Sequence, residues 1–396
     1  MGQELKEKTP PNHIGTIIFQ ADEQIENTPI VELGKAFTLR FDNLNADEAY
    51  YYYTIQHANA DWTASELFKS EYINGFDEVR IRNMSNSSGT LQSYTHYALT
   101  IPNSETEIIT SGNYLLAVFD DKQELIFTKR FVVYEQQADV QVDIFRLRDL
   151  EGIESKQRIE IGVQTANINS RQPDHDISVW ALQNFRWSSA RKIPKYDYVI
   201  NQNLLFKYDN NLIFEGGNEY FFFDSKDIRS AGGNIAYIRR ENLYQSILYP
   251  NFVRNGNIYT YGPDINGNFV IQTTEGLNPN TDADYTEVTF RLLSSETNYN
   301  FYVTGLFNQH QPQPIHKLEY DAINNLHQVR LRLKQGVYNY KYIAIDSAGY
   351  IYVNGVGGSH WETENEYLVL VYFRRFGDRY DRLIGVGVGN SKQIQN

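Results

Sequence analysis

With 396 residues, 41% of them hydrophobic and 21% charged, the chain has ordinary globular composition and enough length for several cores. A formal net charge of −13 excludes nucleic acid as a natural partner, because binding a polyphosphate draws on clustered Lys and Arg. The absence of cysteine excludes disulfides, Cys-based zinc sites and thiol nucleophiles, while 30 Tyr and 22 Phe favour half-buried pleated surfaces and an all-β protein.

Residues 1–13 are charged and contain proline, and are expected to form a flexible lead-in. Their start, MGQELKEKTPPNH, lacks a hydrophobic signal region and reads as an initiator Met ahead of a polar mature terminus. Strands begin near Ile14: IGTIIFQ, KAFTLRF and EAYYYYTIQH are separated by turn signals at Pro29, Gly34 and Asn43. After a polar loop carrying Trp62, EVRIRN, SYTHYALTIP, YLLAVFD and LIFTKRFVVYE complete about seven strands, as an Ig-like or fibronectin-like sandwich requires. The first sandwich is expected over 14–136. The junction that follows lacks the Gly/Ser content of a flexible linker, so neighbouring units should be closely coupled.

A second sandwich with an irregular insertion is expected over 139–282 and a third over 283–396, with one continuous two-unit body over 140–396 as the alternative. DISVWALQNFRW reads as a strand with Trp180 and Trp187, and Asn266-Gly267 as a two-residue hairpin turn. VRLRLK places Val329, Leu331 and Leu333 inward and Arg330, Arg332 and Lys334 in solvent. Three Gly-to-Tyr corners recur, at Gly112/Tyr114, Gly217/Tyr220 and Gly336/Tyr338. In sandwich domains the Gly permits a sharp turn and the Tyr hydroxyl ties back to upstream backbone, so three corners suggest three sandwiches. Every apolar run falls short of the ~20 residues that span a bilayer, so no membrane insertion is expected.

No catalytic set emerges. Asp264, Asn266, Asn268 and Glu275 follow a calcium-loop count, but Phe269 stands where that loop needs Gly, and the flanks read as strands; a turn is the simpler reading. Pro173-Asp174-His175-Asp176 reads as a loop tip, and His310 and His316, spaced by prolines, as exposed loop residues. Gly385, Gly387 and Gly389 mark a strand whose small positions admit a close neighbour, with Ile384, Val386 and Val388 facing the core. Ser359-His360 near Glu362 lacks a nucleophile elbow. No catalytic residue, metal or cofactor is therefore expected. Trp62, Phe185 and Trp187 sit among polar residues in loop-like settings and are the candidate exposed rings for contact with a partner.

DWTASELFKSEYINGFDEVRI, GGNEYFFFDSKDIRSAGGN, YGPDINGNFVIQ and EYLVLVYFRRFGDRYDRLIGVG, in that order, resemble a Bacteroidota family that includes the plug protein of the type 9 secretion system. The resemblance implies a non-catalytic periplasmic protein associated with the outer-membrane translocon. It would bind the giant translocon barrel and close its periplasmic opening when no carrier or substrate is engaged. The segment FYVTGLFNQH followed by LKQGVYNYKYIAID resembles early-set, glycogen-binding sandwich modules, which makes a carbohydrate-binding protein the alternative, with Trp361 as its stacking ring.

Overall fold

The computed structural model describes residues 4–21, 24, 26–166, 168, 170 and 172–394. The described residues are nearly all β, and their helices are single turns of three or four residues. Three hydrophobic cores each fill the space between facing sheets, and a fourth cluster lies where units meet.

The first unit packs the sheet of Ile14–Ala21, Phe37–Asn43, Thr95–Ile101 and Asn83–Asn86 on one built from Ile30–Glu32, Leu125–Tyr134, Gly112–Asp120, Tyr51–Ala58 and Val79–Arg80. Alternation along the strands sends Phe19, Phe37, Phe41, Tyr97 and Phe131 into one aromatic core. Residues 4–13 differ from the flexible lead-in expected of them. The Leu5 amide donates to the Trp62 carbonyl at 2.8 Å, and the Lys8 amide donates to Thr128 Oγ1 at 2.6 Å. Backbone pairing holds them, which composition does not reveal. Residues 1–3 lie outside the described residues.

Two of the three corners form as the sequence implied. The Tyr114 hydroxyl donates to the Thr110 carbonyl at 2.6 Å, and the Tyr338 hydroxyl to the Lys334 carbonyl at 2.7 Å. Gly112 holds φ +145°, a conformation side chains rarely adopt. Tyr220 makes no such tie; its hydroxyl instead accepts from Arg186 at 3.5 Å. Replacing Tyr338 with Phe leaves a buried carbonyl without its donor and should lower stability by roughly 1–3 kcal/mol, read as a fall in the urea midpoint.

The second unit departs most from expectation. Its first sheet contains Asp139–Arg146, Lys156–Gln164, Asn203–Phe206 and Tyr198–Ile200, with Ile213–Glu215 also paired to Lys156–Gln164. The facing sheet joins Arg191–Ile193 and Ile177–Gln183 to the last two strands of the chain, Glu366–Phe373 and Arg382–Asn390. Ile177 pairs with Phe373 and Gln183 with Tyr367. The units expected over 139–282 and 283–396 are thus redrawn: the C-terminal strands complete the second core, and the third sandwich is inserted before them. Turn residues mark where the chain bends, but not which distant strand it rejoins.

That third sandwich runs from Phe221 to Tyr352. One face holds Phe221–Asp224, Gly336–Ile345, Phe269–Ile271, Asn300–Thr304 and Ile351–Tyr352. The other holds Ile235–Arg240, Tyr244–Leu248, Tyr285–Leu293, Leu326–Lys334, Glu319–Asp321 and Asn251–Phe252. Arg330 and Arg332 are exposed as their alternation requires, but Lys334 is 1% exposed because the first unit covers that end of its strand. Asn266 and Gly267 take φ +53° and +83°, and the Asn268 amide closes the turn on the Ile265 carbonyl at 3.0 Å. The turn forms as expected, but no strand precedes it among the described residues, so it is not a hairpin.

Gly385, Gly387 and Gly389 do admit a neighbour. A Cβ on Gly387 would stand 2.6 Å from both the Val140 carbonyl oxygen and its Cγ1, and one on Gly389 2.7 Å from the Val142 carbonyl. The strand Asp139–Arg146 therefore lies backbone-close over this glycine face. Ile384 is buried, whereas Val388 is 53% exposed because its side of the sheet is open there.

Candidate functional site

The polar and aromatic residues that are costliest to bury converge on the seams between the three sandwiches. Between the first and third, Asp42 accepts from Lys334 Nζ, the Tyr285 hydroxyl and His96 Nδ1, each at 2.7 Å. Lys334 also donates to the Asn280 carbonyl at 2.7 Å and stands 4.1 Å over the Tyr94 ring. Asp42 and Lys334 are each 1% exposed, so a full ion pair lies out of water. Burial lowers the pKa of the Lys334 ammonium, and Asp42 opposes that shift.

Trp62 and Trp187 meet between the first and second units, edge to face with centroids 4.8 Å apart. The Arg130 guanidinium covers Trp62 at 4.3 Å, and the Tyr372 hydroxyl donates to Asn113 Oδ1 at 2.6 Å. The expectation of three exposed rings therefore needs correction. Trp62 is 6% exposed, and Phe185 and Trp187 are half-buried beside it. Their polar neighbours in sequence point elsewhere while the rings fill the seam. Rings that are exposed include Phe68 and Phe76 on the first unit, at 73% and 71%.

The second and third units join around Glu219, which is 2% exposed. Its carboxylate accepts from the Tyr259 hydroxyl and, at 3.1 Å, from the Glu364 amide, while its carbonyl accepts from Arg254. The neighbouring Tyr220 amide donates to Asp264 at 2.5 Å. Burial raises the Glu219 pKa to about 7, the hydrogen bonds from Tyr259 and Glu364 restrain that rise, and nearby Asp264 adds to it. The folded chain thus holds this proton above the ordinary value of 4.5, so the stability contributed is complete below 4.5 and lost as pH rises through 7. Glu219→Gln should flatten the decline in urea midpoint across that window; an unchanged slope would assign the decline to other groups.

A cleft of about 350 Å³ opens at the junction, lined by Phe185, Trp187, Lys129, Arg186 and His310 among others. Sequence reasoning missed the last three. His310 was expected on an exposed loop, but its half-buried ring lies 6.2 Å from that of Tyr220, and burial together with Arg186, Lys341 and Lys129 pushes its pKa well below the ordinary 6.5. His316 is also half-buried and is lowered to about 4 by burial.

The remaining candidates have local partners. Asp264 accepts from the Tyr220 and Asn266 amides, and Glu275 pairs with Arg229 at 2.7 Å, so this pair of carboxylates serves turns and a surface bridge. Among the described residues, no group of three or more His, Asp or Glu side chains is placed to hold a metal ion. His175 is exposed on the single turn Pro173–Asp176. The Ser359 hydroxyl donates to the Ser155 carbonyl at 2.7 Å, far from a nucleophile's arrangement. Trp361, the stacking ring of the carbohydrate alternative, has the Arg146 guanidinium over it at 4.4 Å.

Fold and seams together define an all-β, multi-sandwich body whose polar groups are committed to holding its units in place. Residues 14–135 match the family model described as the type 9 secretion system plug protein 1st domain. The matched stretch is the first of the three sandwiches, which is thus similar to the first domain of that plug protein family. Among solved structures, a hypothetical protein from Parabacteroides merdae ATCC 43184 is 28% identical and superposes with a TM-score of 0.92, covering 98% of this chain and 100% of that one. Dimeric latent PorU from Porphyromonas gingivalis gives a TM-score of 0.14 at 8% identity, over 96% of this chain and 34% of that one, too low to carry an inference. No curated protein matches the chain. Among the described residues, no helix is long and apolar enough to cross a membrane.

Proposed function

We propose that this protein is the non-catalytic periplasmic plug of the type 9 secretion system, binding the giant outer-membrane translocon barrel and closing its periplasmic opening when no carrier or substrate is engaged. The observation that carries this reading is the way the units are fused. The third sandwich is inserted within the second, whose sheet closes only when Glu366–Phe373 returns to Ile177–Gln183. Buried hydrogen bonds and the Asp42–Lys334 pair tie the first unit to both. A body so constrained keeps a fixed shape, which is what a stopper must present to an opening.

Reversible closure calls for a polar interface with a few ring anchors rather than an extended apolar one. Phe185 and Trp187, half-buried at the cleft, are candidate anchors, whereas Trp62 lies too deep for the role. The net charge of −13 would steer the body toward a basic rim. Affinity purification of the tagged protein from the envelope of its native bacterium tests the reading. The translocon barrel should be recovered in complexes without its substrate carrier, and recovery should fall as added salt shortens the screening length from about 10 Å. Recovery of polysaccharide, or of no barrel, would overturn it.

A further inference from the structure

The central cleft is lined by Glu7, Glu26, Asp264, Glu364 and Glu366 as well as by Lys129, Arg186 and Lys392, and among the described residues Arg186 is the cation of that lining left without a carboxylate partner. Among the described residues neither Arg186 nor Lys341 forms an ion pair. The terminal nitrogens of Arg186 make only long contacts, 3.5 Å to the Tyr220 hydroxyl and 3.4 Å to Gln183 Oε1, and its buried Nε has no partner. Among the described residues the Lys341 ammonium has no hydrogen-bond partner, and it stands 5.4 Å from the centre of the Tyr220 ring. The loop that follows Leu306 brings His310 to the same ring, with Gln309 and His310 held at φ +57° and +54°. The buried Nδ1 of His310 also lacks a partner. Like charges gathered out of water repel one another, and buried polar atoms left without partners are destabilising. A bound anion would offset both.

Four of the five carboxylates that line the cleft, all but Glu26, have other contacts. Glu7 pairs with Lys129 at 3.5 Å and Glu364 with Lys392 at 2.6 Å. The Glu366 carboxyl is raised by burial and by Glu26 and Glu364, and Asp264 serves the Tyr220 and Asn266 amides. Arg186, Lys341 and Lys129 lie near enough to His310 to lower its pKa, and burial together with Arg186 lowers that of Lys341 in turn. The cleft volume of about 350 Å³ lies within the range of small-molecule sites, and Phe185 and Trp187 supply apolar wall.

We propose that this end of the cleft binds an oxyanion, the carboxylate or phosphate group of a small ligand, with Arg186 as its direct contact and His310 and Lys341 beside it. The planar guanidinium suits either group through paired N–H donors. A nearby negative charge would raise the proton affinity of His310, so binding carries its own spectroscopic signature. Phe185 and Trp187 belong to both readings, but Arg186 and His310 are needed only for the anion, so failure of the anion test would leave the plug reading standing.

The test uses the full chain at constant ionic strength with three probes: inorganic phosphate, N-acetylphenylalanine and N-acetylphenylalaninamide. Thermal unfolding and the NMR titration of the His310 ring are followed together. At least one anion at millimolar concentration should raise both Tm and the His310 titration midpoint, and the uncharged amide should move neither. Response to phosphate alone identifies a phosphate-bearing ligand, and response to the carboxylate alone a carboxylate-bearing one. Arg186→Gln should abolish both effects; should that variant not fold, Lys341→Met should weaken binding by roughly tenfold through loss of one nearby cation. An unmoved His310 midpoint with both anions, or equal responses in whichever folded variant is measured, would overturn the proposal.

Discussion

Asp42→Asn is expected to destabilise the folded chain by about 3–5 kcal/mol, because it leaves the Lys334 ammonium buried without a countercharge. The remaining contacts of Lys334, the Asn280 carbonyl and the Tyr94 ring, do not neutralise it. Breaking one side of a buried pair costs more than replacing both, so adding Lys334→Met to Asp42→Asn should recover part of the loss. Urea midpoints of the two single variants and the double variant measure this. A double variant whose loss equals the sum of the singles would show that the pair is not coupled. The pair joins the first unit to the third, so Asp42→Asn should also speed proteolysis at the segment around Asn280 that Lys334 holds.

The second large effect is expected at Gly387. Its Cβ position lies 2.6 Å from the Val140 carbonyl oxygen, a backbone atom that cannot swing aside. Gly387→Val should therefore force the strand Asp139–Arg146 off the last strand of the chain, at a cost of about 3 kcal/mol, the upper end of ordinary overpacking. Its consequence reaches beyond one contact, because the last strand closes the second core while the third unit is inserted ahead of it. Soluble yield and hydrogen exchange across 139–146 and 382–390 provide the readout. Exchange as slow as in the parent chain would mean that the sheets can separate enough to accept a side chain there.

What the sequence revealed was local. Tyr114 and Tyr338 were recognisable as corners because Gly, Tyr and the accepting carbonyl lie within a few residues of one another. Gly385, Gly387 and Gly389 were recognisable because a strand keeps small side chains on one face only when something lies close to that face. Tyr220 shows the limit of the pattern: a glycine shortly before it does not supply an upstream carbonyl, and its hydroxyl is taken by Arg186 instead.

The misread features all depend on distant chain. Ile177–Gln183 gives no sign that its partner begins at Glu366, because alternation reports the faces of a strand but not its neighbour. Lys334 follows the alternation of an exposed residue and is buried by Asp42 from the first unit. Trp62, Phe185 and Trp187 were set among polar residues, yet they gather at a seam formed by segments more than a hundred residues apart. The cleft with its unpaired guanidinium was invisible for the same reason, since Arg186 and His310 approach one another only in the folded chain.

The most direct test of closure is the conductance of the purified translocon barrel in a planar bilayer. Added from the periplasmic side, the protein is predicted to reduce conductance in a saturable, salt-sensitive way, with no effect from the opposite side. Binding that leaves conductance unchanged would contradict the plug account, even with the protein firmly attached.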